Sequence, residues 1–307
     1  MGKFGSIGKW EELQTQLPEY LEKHGLDNFR NHTNNALRGY GTIDIDPIDS
    51  LNSEKKLRLL EKFLVLTKDK AIFRKLYKRL SWLYLNITLE QKLESMYLFA
   101  KYYGMANKAK PIESISDSLI GNPKNVLKKD DKFYTYPLLR SYVQYAQTCN
   151  VIDYEKISSI LEIGGGFGMQ AEVFKKLYPH LEITLVDLPA NAYLQKEYLK
   201  KQSLDDVKVI LPDKLEGSQF DMLWNSISFQ VMPKKTVFDY FKIINKNAKK
   251  FVCLHNKIEN KNSVNNSVTK EEYIENLPDF DLIYNDISQG QFLGTHQNIF
   301  NLIFQRK

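Results

Sequence analysis

The run Ile160-Leu161-Glu162-Ile163-Gly164-Gly165-Gly166-Phe167-Gly168 constrains this chain more than any other segment. Three apolar residues and one glutamate running into a glycine cluster read as a buried strand entering a tight turn. Glycines there let the backbone take positive φ and let a ligand approach the main chain closely. A helix is predicted from Met169 to Tyr178, its first amides facing the same crevice. Leu185-Val186-Asp187 then reads as a second strand ending in an acid, about 20 residues beyond Gly164. A carboxylate at that place can accept both hydroxyls of a ribose. The unit is the first half of a doubly wound α/β sheet with an adenosine-containing ligand at its edge.

Two cofactors compete for such a turn. Counted from Gly164, the dinucleotide pattern G-x-G-x-x-G/A fails at Met169; counted from Gly166 it is met through Ala171. Glu162 stands two residues before the first glycine and gives E-x-G-x-G-x-G, the form this turn takes in class I methyltransferases. An acid there is unfavourable beside a pyrophosphate and favourable beside the ammonium and sulfonium of S-adenosylmethionine (SAM). No basic phosphate clamp follows the turn. Phe220-Asp221-Met222-Leu223-Trp224-Asn225 reads as the fourth strand of such a sheet. SAM is favoured over NAD. Glu162, Gly164, Gly165, Gly166 and Gly168 are expected around its methionine end, Asp187 at the ribose, Leu188, Leu211 and Pro212 at the adenine, and Asn225 beneath the methyl group.

Composition narrows the partners. The chain has 307 residues, 43 basic against 37 acidic, with a net charge of +6. The lysines are scattered among acids, which reads as a solvated surface and not as a nucleic-acid groove. Two cysteines in separate segments give no disulfide framework. The N-terminus lacks an apolar signal-peptide core and no run is long enough to span a membrane, so a cytoplasmic location is expected. A homo-oligomer remains open.

The expected organisation is an N-terminal helical domain over residues 1–130 and a SAM-binding Rossmann-like domain over 131–307. Apolar stripes at Leu57–Leu64, Phe73–Leu83 and Leu93–Phe99 have helical spacing. A polar loop is predicted between about 28 and 47, another from 111 to 135, and a surface loop at 259–269. After a helix at 137–148, strands are predicted at 159–163, 183–186, 207–211, 222–225 and 251–254, with helices at 190–201 and 233–247. A strand at 281–287 and a reversed one at 299–304 close a mostly parallel sheet whose last strand is antiparallel.

Methyl transfer to a hydroxyl needs positioning and a base of suitable pKa. Histidine is the usual candidate. His180 falls at the wrong end of the strands. His255 ends the fifth strand and His296 enters the reversed last one, so both reach the edge where ligands bind. Asn225 is a third candidate, to orient the acceptor or hold the cofactor. The Asn225-Ser226-Ile227-Ser228 tetrad lacks the pattern of amino-group nucleic-acid methyltransferases. No tight ligand spacing for a metal is present.

Taken together, Leu161–Gly168, Val186-Asp187-Leu188-Pro189, Asn225–Met232 and Gly294-Thr295-His296-Gln297-Asn298 resemble a bacterial family of sugar O-methyltransferases. The resemblance covers roughly residues 110–307. It implies a class I fold, SAM as cofactor, and as acceptor a sugar hydroxyl in a surface glycan or glycosylated metabolite, with the helical domain shaping or covering the acceptor site. Where the family often carries a glutamate between Phe and Met, this chain has Gln230-Val231, which moves the base role to His296 and His255. Another small metabolite, RNA, or an NAD-dependent oxidoreductase are the rival readings.

Overall fold

Ser159–Ile163 (β3) lies third in a seven-stranded sheet and buries Ile160 on one face and Leu161 and Ile163 on the other, as a strand covered by helices on each side does. The computed structural model describes residues 9–31, 89–215, 217–258, 268–287 and 299–307. The predicted stripes at 57–64 and 73–83, most of the 28–47 loop, and His32 and His296 lie outside these.

A short antiparallel hairpin, Leu127–Lys129 (β1) with Lys132–Tyr134 (β2), precedes the sheet. It was not foreseen, and the domain boundary expected at 130 falls inside it. Glu182–Val186 (β4), Lys208–Ile210 (β5), Phe220–Ser226 (β6) and Ala248–Lys257 (β7) run parallel to β3. Phe280–Ile287 (β8) and Ile299–Arg306 (β9) complete the order β5-β4-β3-β6-β7-β9-β8. β9 is antiparallel to both its neighbours, as expected for a class I methyltransferase sheet.

Helices cover both faces. Lys9–His24 (α1), Leu89–Ala106 (α2), Tyr136–Thr148 (α3), Met169–Leu177 (α4) and Pro189–Lys200 (α5) share one apolar core with Met222, Trp224, Cys253 and Ile303. Lys234–Asn247 (α6) and Lys270–Glu275 (α7) cover the other face over Leu223, Val252 and Leu302. The described N-terminal helices therefore bury their apolar sides in the same core as the sheet. α1 packs on α5, and α2 packs on α3.

One buried ion pair ties the N-terminal segment to the sheet side. Arg30 donates to both carboxylate oxygens of Asp117 at 2.7 and 2.8 Å and to the Thr135 hydroxyl. Thr135 precedes α3, and its hydroxyl also bonds Asp117 instead of capping the helix.

Candidate active site

The glycine turn takes its shape from steric demands that differ along it. Gly164 has φ +74°, and a Cβ there would lie 2.3 Å from the Ser228 Cβ. Ser228 is held in place by its hydroxyl, which donates to the Ile163 carbonyl. Gly166 has φ +60°, but a Cβ on it would meet nothing within 4 Å. Gly164 is small to admit protein, whereas Gly166 faces open space. Gly168, at φ +104°, precedes the first turn of α4 and abuts Leu199.

Two carboxylates border that space. Glu162 is 3% exposed, and its Oε2 has no partner among the described residues. Burial, and then the nearby charge of Asp187, push its pKa up to about 8. Asp187 is pushed up to about 6 by burial, against hydrogen bonds that favour its ionised form. Those come from the Leu188 amide at 2.9 Å, Asn191 at 3.0 Å and Gln195 at 2.8 Å. Gln195 also donates to the Gly166 carbonyl, fixing acid and turn together. A buried acid with an unsatisfied oxygen suits a cationic ligand, which lowers the cost of its charge. A pyrophosphate would add negative charge to a place already holding two acids. The residues fit SAM and do not fit NAD.

Leu188, Leu211 and Pro212, expected at the adenine, lie near the end of β4. The Asp187 amide donates to the Ile210 carbonyl, which sets Leu211 and Pro212 beside the end of β4. Leu211 is 37% exposed, Leu188 half-buried and Pro212 buried.

Asn225 requires a correction. It is fully buried, and its Nδ2 donates to the Ile163 carbonyl and the Ser228 hydroxyl. Its Oδ1 accepts from Asn256 Nδ2 at 2.8 Å and from the Phe229 amide. Every hydrogen-bonding site of the amide is used inside the protein, so it locks the turn from behind and presents nothing to cofactor or acceptor.

His255 lies on the opposite face, in a polar row across four strands. Ser226 pairs with His255, His255 with Asn301, and Asn301 with Asp286. Directly opposed residues share a sheet face. The row faces α3, whose Gln144 reaches Ser226 at 3.1 Å and whose Gln147 donates to the Ile287 carbonyl. His255 and Asn301 are both 0% exposed, yet neither ring nitrogen and neither amide atom has a partner among the described residues. The His255 ring lies 4.5 Å from that of Trp224, which is in register with Glu162. Burial first, and Arg140 second, hold the imidazole neutral with its pKa lowered to about 3. His180 donates to or accepts from nothing at this edge; its Nε2 lies 3.1 Å from the Ile157 carbonyl at the far end of β3.

Residues 85–223 match the family model of the O-methyltransferase domain. The protein is a methyltransferase. SAM is its cofactor, in agreement with the charge and shape of the glycine turn. No curated protein matches the chain. Among solved structures, the methyltransferase is similar to mitomycin 7-O-methyltransferase MmcR, at 13% identity over 84% of this chain and 69% of that one (TM-score 0.44). An O-methyltransferase of a trans-AT polyketide synthase from Brevibacillus brevis, bound to S-adenosyl-L-homocysteine, shares 15% identity over 55% of this chain and 71% of that one (TM-score 0.43). The pyocyanin biosynthetic protein PhzM shares 13% over 55% of this chain, which spans 56% of that one (TM-score 0.43). Likeness at this level carries no argument about the acceptor.

The matched segment of the methyltransferase ends at 223, before His255, Asn301 and the rest of the polar row. Sequence reasoning reached His255 but missed Asn301, Gln144, Asn191 and Gln195. The last two follow Asp187 at four and eight positions, a helical spacing visible in the sequence. Asn301 became visible only through strand pairing.

Proposed function

We propose that the methyltransferase transfers the SAM methyl group to a sugar hydroxyl, in a surface glycan or a glycosylated metabolite of the cytoplasm. The observation that carries this reading is the row of buried, unsatisfied polar atoms at His255 and Asn301, beside the open glycine turn. Unpaired buried polar groups are costly, and a hydroxyl-bearing acceptor supplies both donors and acceptors to them. The resemblance in sequence motifs adds the sugar.

Glu162 and the glycines hold the methionine end, Asp187 the ribose, and Leu188, Leu211 and Pro212 the adenine. Bound SAM supplies a methyl group on a sulfonium, which accepts the electron pair of the breaking carbon–sulfur bond. His255 receives the hydroxyl proton as the new carbon–oxygen bond forms, and Asn301 orients the hydroxyl. His296, outside the described residues, is the second candidate base. α3 roofs the acceptor row, and α2 supports α3 from behind.

The test is transfer from labelled SAM to a panel of sugars, nucleotide-linked sugars and oligosaccharides, with products read by mass spectrometry. His255→Asn is expected to lower kcat by about 100-fold or more while leaving SAM affinity unchanged. Methylation confined to RNA or to non-sugar metabolites would overturn the reading.

A further inference from the structure

Arg140 stands one helical turn before Gln144 on α3, on the face that meets the polar row. Its Nε is shielded from solvent and has no partner among the described residues. Nor does any described carboxylate form an ion pair with it. Its charge acts on buried His255, whose imidazole it helps, after burial, to keep neutral. Tyr136, one turn earlier, has its ring 5.9 Å from the guanidinium and a buried hydroxyl that also lacks a partner. The one acid in the row, Asp286, is engaged by the Ile287 amide and by Tyr284. α3 itself contributes no acid.

A half-buried guanidinium whose shielded Nε lacks a partner, beside a tyrosine hydroxyl that also lacks one, is a costly arrangement for a protein to keep empty. Its planar fork matches a carboxylate or phosphate with two parallel hydrogen bonds. We propose that the acceptor is an anionic sugar, its carboxylate or phosphate bound by Arg140 with the Tyr136 hydroxyl, and its reacting hydroxyl held by His255 and Asn301. This rests on the reading of the polar row as the acceptor site. An anion on Arg140 also removes one of the two causes that disfavour a proton on His255, so the group that selects the acceptor helps the base that activates it.

The experiment uses matched compounds differing in the anion. Glucose, glucuronate and glucose phosphate form one set; dihydroxybenzoate and its methyl ester form the other. Each is titrated calorimetrically into the full chain saturated with S-adenosylhomocysteine, and each is offered with labelled SAM for transfer. The expected result is at least about tenfold tighter binding of an anionic sugar than of glucose, roughly one order in Kd for a single charge-assisted contact. Glucuronate and glucose phosphate separate carboxylate from phosphate recognition. Arg140→Gln is expected to erase the preference while leaving the S-adenosylhomocysteine Kd within about twofold, and Arg140→Lys to keep part of it, because charge survives and the fork does not.

A tenfold loss of S-adenosylhomocysteine affinity in Arg140→Gln would assign the guanidinium to the cofactor carboxylate and overturn the proposal. Equal binding of acid and neutral compound in both sets, or binding of none, would overturn it as well. Preference for the acid among the aromatic compounds alone would sustain the anion site and defeat the sugar reading; equal use of glucose and glucuronate would do the reverse.

Discussion

At the scale of single residues, two glycines two positions apart, Gly164 and Gly166, make opposite predictions. Gly164→Ala forces a methyl group onto Ser228 at positive φ, and is expected to destabilise the fold by more than about 2 kcal/mol in chemical denaturation. Gly166→Ala meets open space and is expected to cost only about 1 kcal/mol, yet to weaken SAM binding more than tenfold in calorimetry, since its methyl enters the cradle. Glu162 gives a pH signature. Its folded pKa is raised, so its contribution to the stability of the empty protein is present in acid and is lost as pH rises toward 8. A cationic ligand favours the ionised form. SAM affinity should therefore climb between about pH 6 and 8, with proton release at pH 7 seen as a buffer-dependent binding enthalpy. Glu162→Gln should flatten both; a flat profile in the unaltered protein would remove the ammonium contact.

At the scale of elements, α3 depends on a residue far from it in sequence. Arg30 and Asp117 form a fully buried pair that also holds Thr135, at the start of the helix roofing the acceptor row. Breaking such a pair strands a buried charge. Asp117→Asn is expected to cost about 3 kcal/mol or more of stability by denaturant titration. Asp117 keeps its pKa below the ordinary carboxylate value through Arg30, despite its burial, so its contribution is present at neutral pH and lost on acidification. Methyl transfer should fall further than cofactor binding, because the helix it anchors lies over the acceptor and not over SAM. The turn after β6 shows a second local constraint. Ile227 sits at φ +67°, unusual for a β-branched residue, and its amide bonds the His255 carbonyl at 2.8 Å, fastening the ends of β6 and β7.

At the scale of the whole molecule, ligand binding should raise stability by mass action. At one hundred times its Kd, S-adenosylhomocysteine is worth about 2.7 kcal/mol, or roughly 4 °C in melting temperature for a chain of this size. Asp187→Ala should abolish the shift, and an equal shift with NAD would contradict the cofactor assignment. Much of this molecule was legible in its sequence: β3 falls on Ser159–Ile163 as predicted, and every later strand, with α4, α5 and α6, lies within a few residues of its expected place, whereas the short α7 was not foreseen. Local signals, alternation and glycine chemistry, suffice for such elements. What escaped them needed contacts distant in sequence. The β1–β2 hairpin is too short to carry a period, the burial of Arg30 depends on Asp117, and Asn301 acquires meaning only opposite His255. Asn225 was misread because its neighbourhood on β7, Asn256 above all, consumes the amide that topology alone pointed toward the ligand.

The place of β9 bears on the order in which the molecule can be assembled. It is translated after the other strands of the sheet, yet it lies between β7 and β8. Until it emerges from the ribosome, β8 has no neighbour in the sheet and the row ending in Asn301 and Asp286 does not exist. The strands and turn that surround the cofactor are already made by residue 226. During synthesis, the half of the enzyme that holds the methyl donor can thus close before the half that selects what will receive it.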